Sequence, residues 1–256
     1  MKGLILAAGR GKRLSPLTHT IPKALIPIGG KPMIAYPLLK LKEAGIKEIG
    51  IVISPQHYSK FKSILEFKSL KITYIFQKEP QGTAKATECA CDFIGGKKFL
   101  LCWCDFLSPF DFRKLIQKHL RFKPIATVLI NKEKNPSGTA QVKFRGPYIT
   151  KIVEKPKRRF SFWGATGFMT LEPEIFEVIP QLPPSAQGEY NIANALQYLI
   201  DKGEKVRFIK LNTWRINVNT IQDLERAKGK MGELSLVHSK IDSSSSDEKD
   251  REKLIE

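Results

Sequence analysis

The residues best suited to chemistry are concentrated at the start of the chain. A short apolar segment, Leu4-Ile5-Leu6-Ala7-Ala8, runs into Gly9-Arg10-Gly11-Lys12-Arg13-Leu14, and Pro22-Lys23-Ala24-Leu25-Ile26-Pro27-Ile28 follows soon after. Two glycines leave backbone N–H groups bare, and Arg10, Lys12, Arg13 and Lys23 supply cations. That combination is suited to holding a polyphosphate. A dinucleotide fingerprint would need glycine at the sixth motif position, where Leu14 stands, and no G-x-x-x-x-G-K-S/T loop is present. Arg13 can grip two phosphate oxygens at once, which a lysine cannot. Lys23, set between Pro22 and an apolar run, reads as a fixed point charge. The plain alternative is a solvated basic loop.

Further along, three segments could serve the same ligand. Gln77-Lys78-Glu79-Pro80-Gln81-Gly82-Thr83 joins a strand to a helix. The Gln77 amide donates and accepts, which suits the edge of a base, and Gly82 would let backbone come close to it. Asp105 follows Leu100-Leu101-Cys102-Trp103-Cys104 at the end of an apolar strand, a good position from which to hold Mg²⁺ beside a triphosphate. Glu154-Lys155 ends a later strand; the carboxylate can accept from sugar hydroxyls and the lysine can bind a phosphate. Gly164 to Gly167, and Gly188-Glu189-Tyr190-Asn191, are flexible or polar spots that could line a sugar pocket. Each has an ordinary alternative: a strand-to-helix loop, an N-cap, a solvated strand end.

To bring these segments together, the chain must fold so that strand ends meet. Strands are predicted at Lys2–Ala8, Glu48–Ile53, Lys71–Phe76, Lys98–Trp103 and Ile125–Ile130. Helices are predicted between them at Pro32–Ala44, His57–Phe67, Thr83–Phe93 and Asp111–Leu120. This alternation, with near-continuous apolar strands, predicts an α/β fold with a mainly parallel sheet covered on both faces. After Asn135-Pro136-Ser137-Gly138 the rhythm changes to three consecutive strands, Ala140–Phe144, Tyr148–Val153 and Phe162–Leu171, expected to be antiparallel. Helices at Pro173–Val178 and Asn191–Asp201, a strand at Val206–Lys210 and a last helix from Thr220 to Lys228 complete the reading.

Composition sets bounds on class and partners. The 256 residues are 42% hydrophobic, enough for a sizeable core. No apolar run approaches the roughly 20 residues of a membrane span, and the start does not read as a signal peptide, so no membrane association and a cytoplasmic location are expected. The net charge is +18; residues 232–256 hold four basic and seven acidic side chains, leaving the body at about +21. The positive charge is spread along the chain with one dense cluster, Lys155 to Arg159, so a nucleic-acid partner is not expected. The cysteines form two C-x-C pairs, Cys89/Cys91 and Cys102/Cys104, with no histidine at metal-ligand spacing, and are read as reduced thiols, mostly buried. Residues 232–256, rich in serine and charge, are read as a disordered tail.

Taken in order, the motifs resemble the sugar-phosphate nucleotidylyltransferase family. The matching residues are Leu6-Ala7-Ala8-Gly9-x-Gly11-x-Arg13-Leu14-x-Pro16-Leu17-Thr18, Pro22 to Ile28, Lys31-Pro32-Met33-Ile34, Gln81 to Ala84, Asp105, Glu154-Lys155-Pro156, Gly188-Glu189-Tyr190 and Trp214 to Leu224. The resemblance implies a Rossmann-like nucleotidyltransferase fold over 1–231, with a nucleotide-binding half at 1–131 and a sugar-binding half at 132–231. It implies a reaction in which a hexose 1-phosphate attacks the α-phosphorus of a nucleoside triphosphate and pyrophosphate leaves, with Mg²⁺ as cofactor. Under it, Arg13, Lys23, Asp105 and Lys155 are catalytic. Ala7, Ala8, Gly9, Gly11, Gln77, Gly82, Thr83, Glu154, Gly167 and Glu189 bind substrate, and Asp105 and Asn217 hold the metal.

Two departures stand out. Cys104 replaces the usual glycine before the metal aspartate, and Asn217 stands where a second metal aspartate is usual. An amide oxygen can ligate Mg²⁺ but brings no charge. Two functions therefore remain open: an active transferase, with UTP or dTTP and glucose 1-phosphate as the expected pair, or a weakened regulatory relative that binds nucleotide. The oligomeric state is likewise open, a homo-oligomer being one option.

Overall fold

The computed structural model describes residues 1–65, 69–134, 136–185 and 188–231. Its strands are β1 (Lys2–Leu6), β2 (Pro27–Ile28), β3 (Lys31–Pro32), β4 (Glu48–Ile53), β5 (Lys71–Phe76), β6 (Phe99–Trp103), β7 (Phe106–Leu107), β8 (Ala126–Lys132), β9 (Gln141–Arg145), β10 (Tyr148–Val153), β11 (Trp163–Leu171), β12 (Val206–Lys210) and β13 (Ile216–Asn217). Its helices are α1 (Ala35–Glu43), α2 (Tyr58–Ile64), α3 (Thr83–Glu88), α4 (Cys91–Ile94), α5 (Phe112–Phe122), α6 (Ile175–Val178), α7 (Ile192–Asp201) and α8 (221–231). The expected helix end at Phe67 and the expected tail at 232–256 lie outside the described residues.

Nine strands form one mixed sheet in the order β5-β4-β1-β6-β11-β8-β12-β10-β9. β5, β4, β1 and β6 are mutually parallel, so their carboxyl ends open on one edge, where α/β sheets bind ligands. β12 also runs parallel to β8, while β11 and β10 run antiparallel to their neighbours. The fold is thus the Rossmann-like α/β arrangement, with its parallel character concentrated in the first half.

Three elements differ from expectation. β9 and β10 form the predicted antiparallel pair, but β11 touches β9 only at Gly164–Gln141 and otherwise inserts between β6 and β8, antiparallel to both. Its run Trp163–Leu171 is buried at every position after the first, and a strand apolar on both faces belongs at a sheet centre rather than in an edge meander. The helix predicted as Thr83–Phe93 is two pieces, broken at Cys89 and Ala90, where α4 begins anew. Helix α1 begins at Ala35 rather than Pro32, because Pro32 pairs in the β2–β3 hairpin; Pro37 sits in the first turn, where its missing N–H removes no helical bond.

Apolar clusters cover both faces of the sheet. One face carries Leu4, Leu6, Leu101, Val128 and Met169 beneath α3, α6 and α7; the other carries Ile5, Ile51, Cys102, Leu129 and Phe168 beneath α1, α2 and α5. A third, smaller cluster joins Leu14, Ile26, Ile28 and Met33 to Leu107, Ile216, Val218, Leu224 and Ala227. It ties the glycine-rich loop to β13 and α8, which are remote in sequence. Burying Leu14 completely contributes about 2 kcal/mol, enough to hold the loop that carries Arg13 in place. No helix among the described residues is long and apolar enough to cross a membrane.

Candidate active site

A cleft of about 680 Å³ opens above the carboxyl ends of the parallel strands. Of the expected site residues it is lined by Ala8, Gly9, Gly11, Arg13, Lys23, Gln77, Gly82, Thr83, Asp105, Glu154, Lys155, Glu189 and Asn217. Ala7 and Gly167 are absent from its wall. Ala7 is buried in the core beneath the loop. Gly167 lies against the Trp103 ring, and a Cβ there would come within 2.7 Å of ring carbon Cδ2. Its lack of a side chain serves packing of that indole.

The loop after β1 presents Arg10, Lys12 and Arg13 exposed, and none of the three is in an ion pair among the described residues. Gly11 has φ 63°, and a Cβ there would sit 3.0 Å from the Lys23 side chain. Glycine at 11 therefore supplies both the left-handed turn and the space in which Lys23 passes. Around Gly9 nothing lies within 4 Å of a built Cβ, so its backbone is open to a ligand.

Lys23 begins a short 3-10 turn whose Ala24 and Leu25 are buried. Its ammonium donates to Asp105 Oδ2 at 2.5 Å and to Asn219 Oδ1 at 3.0 Å. Asp105 follows β6, and its carbonyl accepts from the Val218 N–H at 2.9 Å. The β7–β13 ladder pairs Phe106 with Asn217. These bonds bring 217–219 alongside Asp105 across a long sequence gap. Asn217 Oδ1 is buried without a hydrogen-bond partner among the described residues, a state that costs about 1–3 kcal/mol unless a ligand satisfies it.

Gln77 directly follows β5 and is only 6% exposed. Its backbone N–H bonds Ile53 O at 2.9 Å, while its Nε2 has no partner among the described residues. Gly82, at φ 103°, packs on the Tyr190 backbone, where a Cβ would meet Tyr190 N at 2.8 Å. The contact is fastened by Tyr190 N–H to Gln81 O and Ala84 N–H to Tyr190 O, both 2.8 Å. Thr83 Oγ1 accepts from the Ile192 N–H at 3.0 Å, docking α3 on the start of α7.

Also in the cleft lining, Glu154 and Lys155 follow β10, with Lys155 Nζ 3.6 Å from Glu154 Oε1. Burial pushes the Glu154 carboxyl above its usual range; Lys155 pulls it back in part, and Glu189 adds to the rise. Lys155 has φ 39°, a left-handed backbone that costs a residue with a side chain about 1 kcal/mol. Its N–H bonds Thr139 O at 3.3 Å. Cys104 is buried, and burial together with the Asp105 charge pushes its thiol up to about 12, so it stays protonated. Cys102 is buried too, whereas Cys89 and Cys91 are exposed free thiols.

Of the flexible or polar spots expected beside the site, Ala165 and Asn191 do line the cleft. Trp103 and Thr139 line it without having been expected, and the Trp103 indole N–H has no partner among the described residues. Asn191 sits at the start of α7 and is 5% exposed.

With this geometry in view, comparison with known proteins identifies the family. A family model described as Nucleotidyl transferase matches residues 2–232. The chain belongs to the nucleotidyl transferase family. It is 33% identical over 232 residues to the low-salt glycan biosynthesis nucleotidyltransferase Agl11 of Haloferax volcanii, which covers 89% of this chain and 65% of that relative, so the chain spans just under two thirds of its length. It is 35% identical over 208 residues to a glucose-1-phosphate thymidylyltransferase of Neisseria meningitidis, covering 79% of this chain and 72% of the relative. Among solved structures it matches a Bacillus anthracis protein described as a glucose-1-phosphate thymidylyltransferase, in complex with sucrose, at TM-score 0.84 and 29% identity, covering 90% of this chain and 95% of that one.

In this nucleotidyl transferase chain no cluster of three or more His, Cys, Asp or Glu that could hold a metal occurs among the described residues. The oxygens of Asp105 and Asn217 are nonetheless hard donors on one wall, and the Asn217 oxygen lacks a partner. That set fits Mg²⁺, which is commonly held by one or two protein oxygens together with substrate phosphates and water.

Proposed function

We propose that the protein transfers a nucleoside monophosphate from a nucleoside triphosphate to a hexose 1-phosphate, releasing pyrophosphate. The observation that carries this reading is the one cleft in which a cationic loop with no ion pair among the described residues, the Lys23–Asp105 pair and the Glu154–Lys155 pair face one space. UTP or dTTP with glucose 1-phosphate is the expected pair. A buried glutamine amide with a free donor suits a pyrimidine edge, and relatives named as thymidylyl- and uridylyltransferases support the choice.

The chemistry is an in-line displacement that needs positioning and charge neutralisation, not a covalent nucleophile. Gln77 and the backbone at Gly82 read the base. The N–H groups and cations from Gly9 to Arg13 hold the triphosphate, and Arg13 takes charge as it develops on the departing pyrophosphate. Glu154 accepts from sugar hydroxyls, and Lys155 holds the sugar's phosphate so that its oxygen faces the α-phosphorus. Lys23, also in the cleft lining, neutralises the phosphates as they approach each other. Asp105 and Asn217 would hold Mg²⁺, which supplies charge neutralisation and makes the phosphorus more electrophilic. Glu189 lies on the sugar wall, near enough to raise the Glu154 pKa.

The test is a panel. UTP, dTTP, GTP, CTP and ATP are each paired with several sugar 1-phosphates and Mg²⁺, and pyrophosphate is measured. Release with a pyrimidine triphosphate and glucose 1-phosphate above all other pairs supports the reading. Nucleotide binding without release for any pair would overturn it in favour of a binding-only relative.

A further inference from the structure

We propose that Asp223 is a positioning residue for Lys23, acting through Asn219. It deepens the transferase reading and rests on it for the catalytic role of Lys23.

Asp223 lies in the first turn of α8, outside the cleft wall. Its Oδ2 accepts from Thr220 N at 3.0 Å and Thr220 Oγ1 at 2.9 Å, and Thr220 Oγ1 in turn accepts from Asp223 N at 3.2 Å. That reciprocal pair is a complete helix cap. The same Oδ2 accepts one more bond, from Asn219 N at 3.1 Å. The cap has no need of this bond. What it does is fix the peptide of Asn219, a residue in neither helix nor strand. One residue earlier, Val218 N–H is fastened to Asp105 O at 2.9 Å. The 218–219 segment is therefore pinned at both ends, and the Asn219 amide oxygen is held where it receives the Lys23 ammonium at 3.0 Å.

Lys23 has a flexible four-carbon stem, and Asp105 alone would hold it as a point charge free to pivot. A second oxygen, itself anchored, gives the ammonium a defined location. Catalysis by charge neutralisation depends on such placement before substrate arrives. The order of causes is Asp223 to Asn219 backbone, Asn219 amide to Lys23, and Lys23 to the phosphates.

Three variants separate positioning from helix capping. Thr220→Ala removes the hydroxyl of the cap and leaves the Asp223–Asn219 bond. Asp223→Ala removes both, and Asp223→Asn keeps an acceptor oxygen. Two readouts are used on the full chain. The first is the ¹⁵N signal of the Lys23 ammonium in the ligand-free protein, which a lysine held between two oxygens protects from exchange. It is expected in the parent, Thr220→Ala and Asp223→Asn proteins and lost in Asp223→Ala. The second is steady-state kinetics. Asp223→Ala is expected to lower kcat by roughly ten- to a hundredfold with KM for both substrates nearly unchanged, as misplacement of a reacting group does. Thr220→Ala is expected to lower thermal stability while keeping kcat, and Asp223→Asn to recover most of it.

Equal losses of kcat in Thr220→Ala and Asp223→Ala would reduce Asp223 to a helix cap and overturn the proposal. So would a Lys23 signal that is absent from the parent or survives in Asp223→Ala. If the parent shows no transfer with any substrate pair, the transferase reading fails, and the ammonium signal still decides whether Asp223 places Lys23.

Discussion

The Lys23 ammonium bonds Asp105 Oδ2 at 2.5 Å, so the carboxylate expected to hold a divalent cation already has a cation of its own. Both side chains are mostly buried, at 11% and 18% exposed, and the pair sits on the wall of the cleft. Under the proposed function, a triphosphate entering along the Gly9–Arg13 loop would offer Lys23 new oxygens and release Asp105. Metal and nucleotide binding should therefore be coupled.

That coupling is measurable without turnover. Mn²⁺ binding to the nucleotide-free protein, followed by the electron paramagnetic resonance of the free ion, should be weak and should strengthen when nucleotide is added. Lys23→Met should raise the affinity of the free protein about tenfold, equivalent to about 1.4 kcal/mol. Asn217→Asp should raise it as well, by adding a formal charge next to Asp105. An unchanged affinity in Lys23→Met would mean that the ammonium does not compete for the carboxylate, and the same result in Asn217→Asp would remove Asn217 from the ligand set.

Glu154 links stability to pH with a definite sign. Burial raises its pKa in the folded protein, so the folded state holds the proton more tightly than the unfolded chain. Its stabilising contribution is full below the unfolded pKa and is lost as pH rises through the folded one. Glu154→Gln should accordingly raise the thermal midpoint at neutral pH, with the difference vanishing below the ordinary carboxylate range. The KM for sugar phosphate of the parent should rise as pH falls through the raised pKa, whereas that of Glu154→Gln should be high throughout. A variant less stable than the parent at neutral pH would contradict this account.

The Arg215–Glu133 ion pair joins the segment before β13 to the end of β8, with side chains 14% and 15% exposed. Burial pushes the Arg215 pKa down. Arg215→Met leaves the Glu133 charge buried alone and should cost about 3–5 kcal/mol, while the double change Arg215→Met with Glu133→Leu should recover much of that. Chemical denaturation of the two variants provides the comparison. Equal losses in both would show that the pair acts by packing and not by charge.

The first half of this fold was legible because its strands are short apolar runs ending in glycine, proline or an acid, and such runs become parallel strands with functional residues at their ends. Gln77 and Asp105 directly follow or nearly follow β5 and β6 for that reason. The route of β11 was not legible, since the sequence pattern gives a strand's burial more readily than its neighbours. Gly167 looked like a flexible pocket residue, but its small size accommodates the Trp103 ring. The Asn219 bond to Lys23 depends on two segments meeting through the small apolar cluster around Leu14, Ile216 and Leu224, and no local spacing announces that meeting. Asp223 could be read only as part of a helix start; its third bond is visible only in three dimensions.

Under the proposed function, one cleft brings a triphosphate and a sugar phosphate into line for transfer. The most direct measurement uses UTP or dTTP labelled at the α-phosphorus, with glucose 1-phosphate and Mg²⁺, for the parent and for Arg13→Ala and Asp105→Ala. The parent should move the label into a nucleotide-sugar with an equal amount of unlabelled pyrophosphate, and both folded variants should lose this transfer. Label remaining in free nucleotide for the parent, or transfer at the parent rate in either variant, would contradict it.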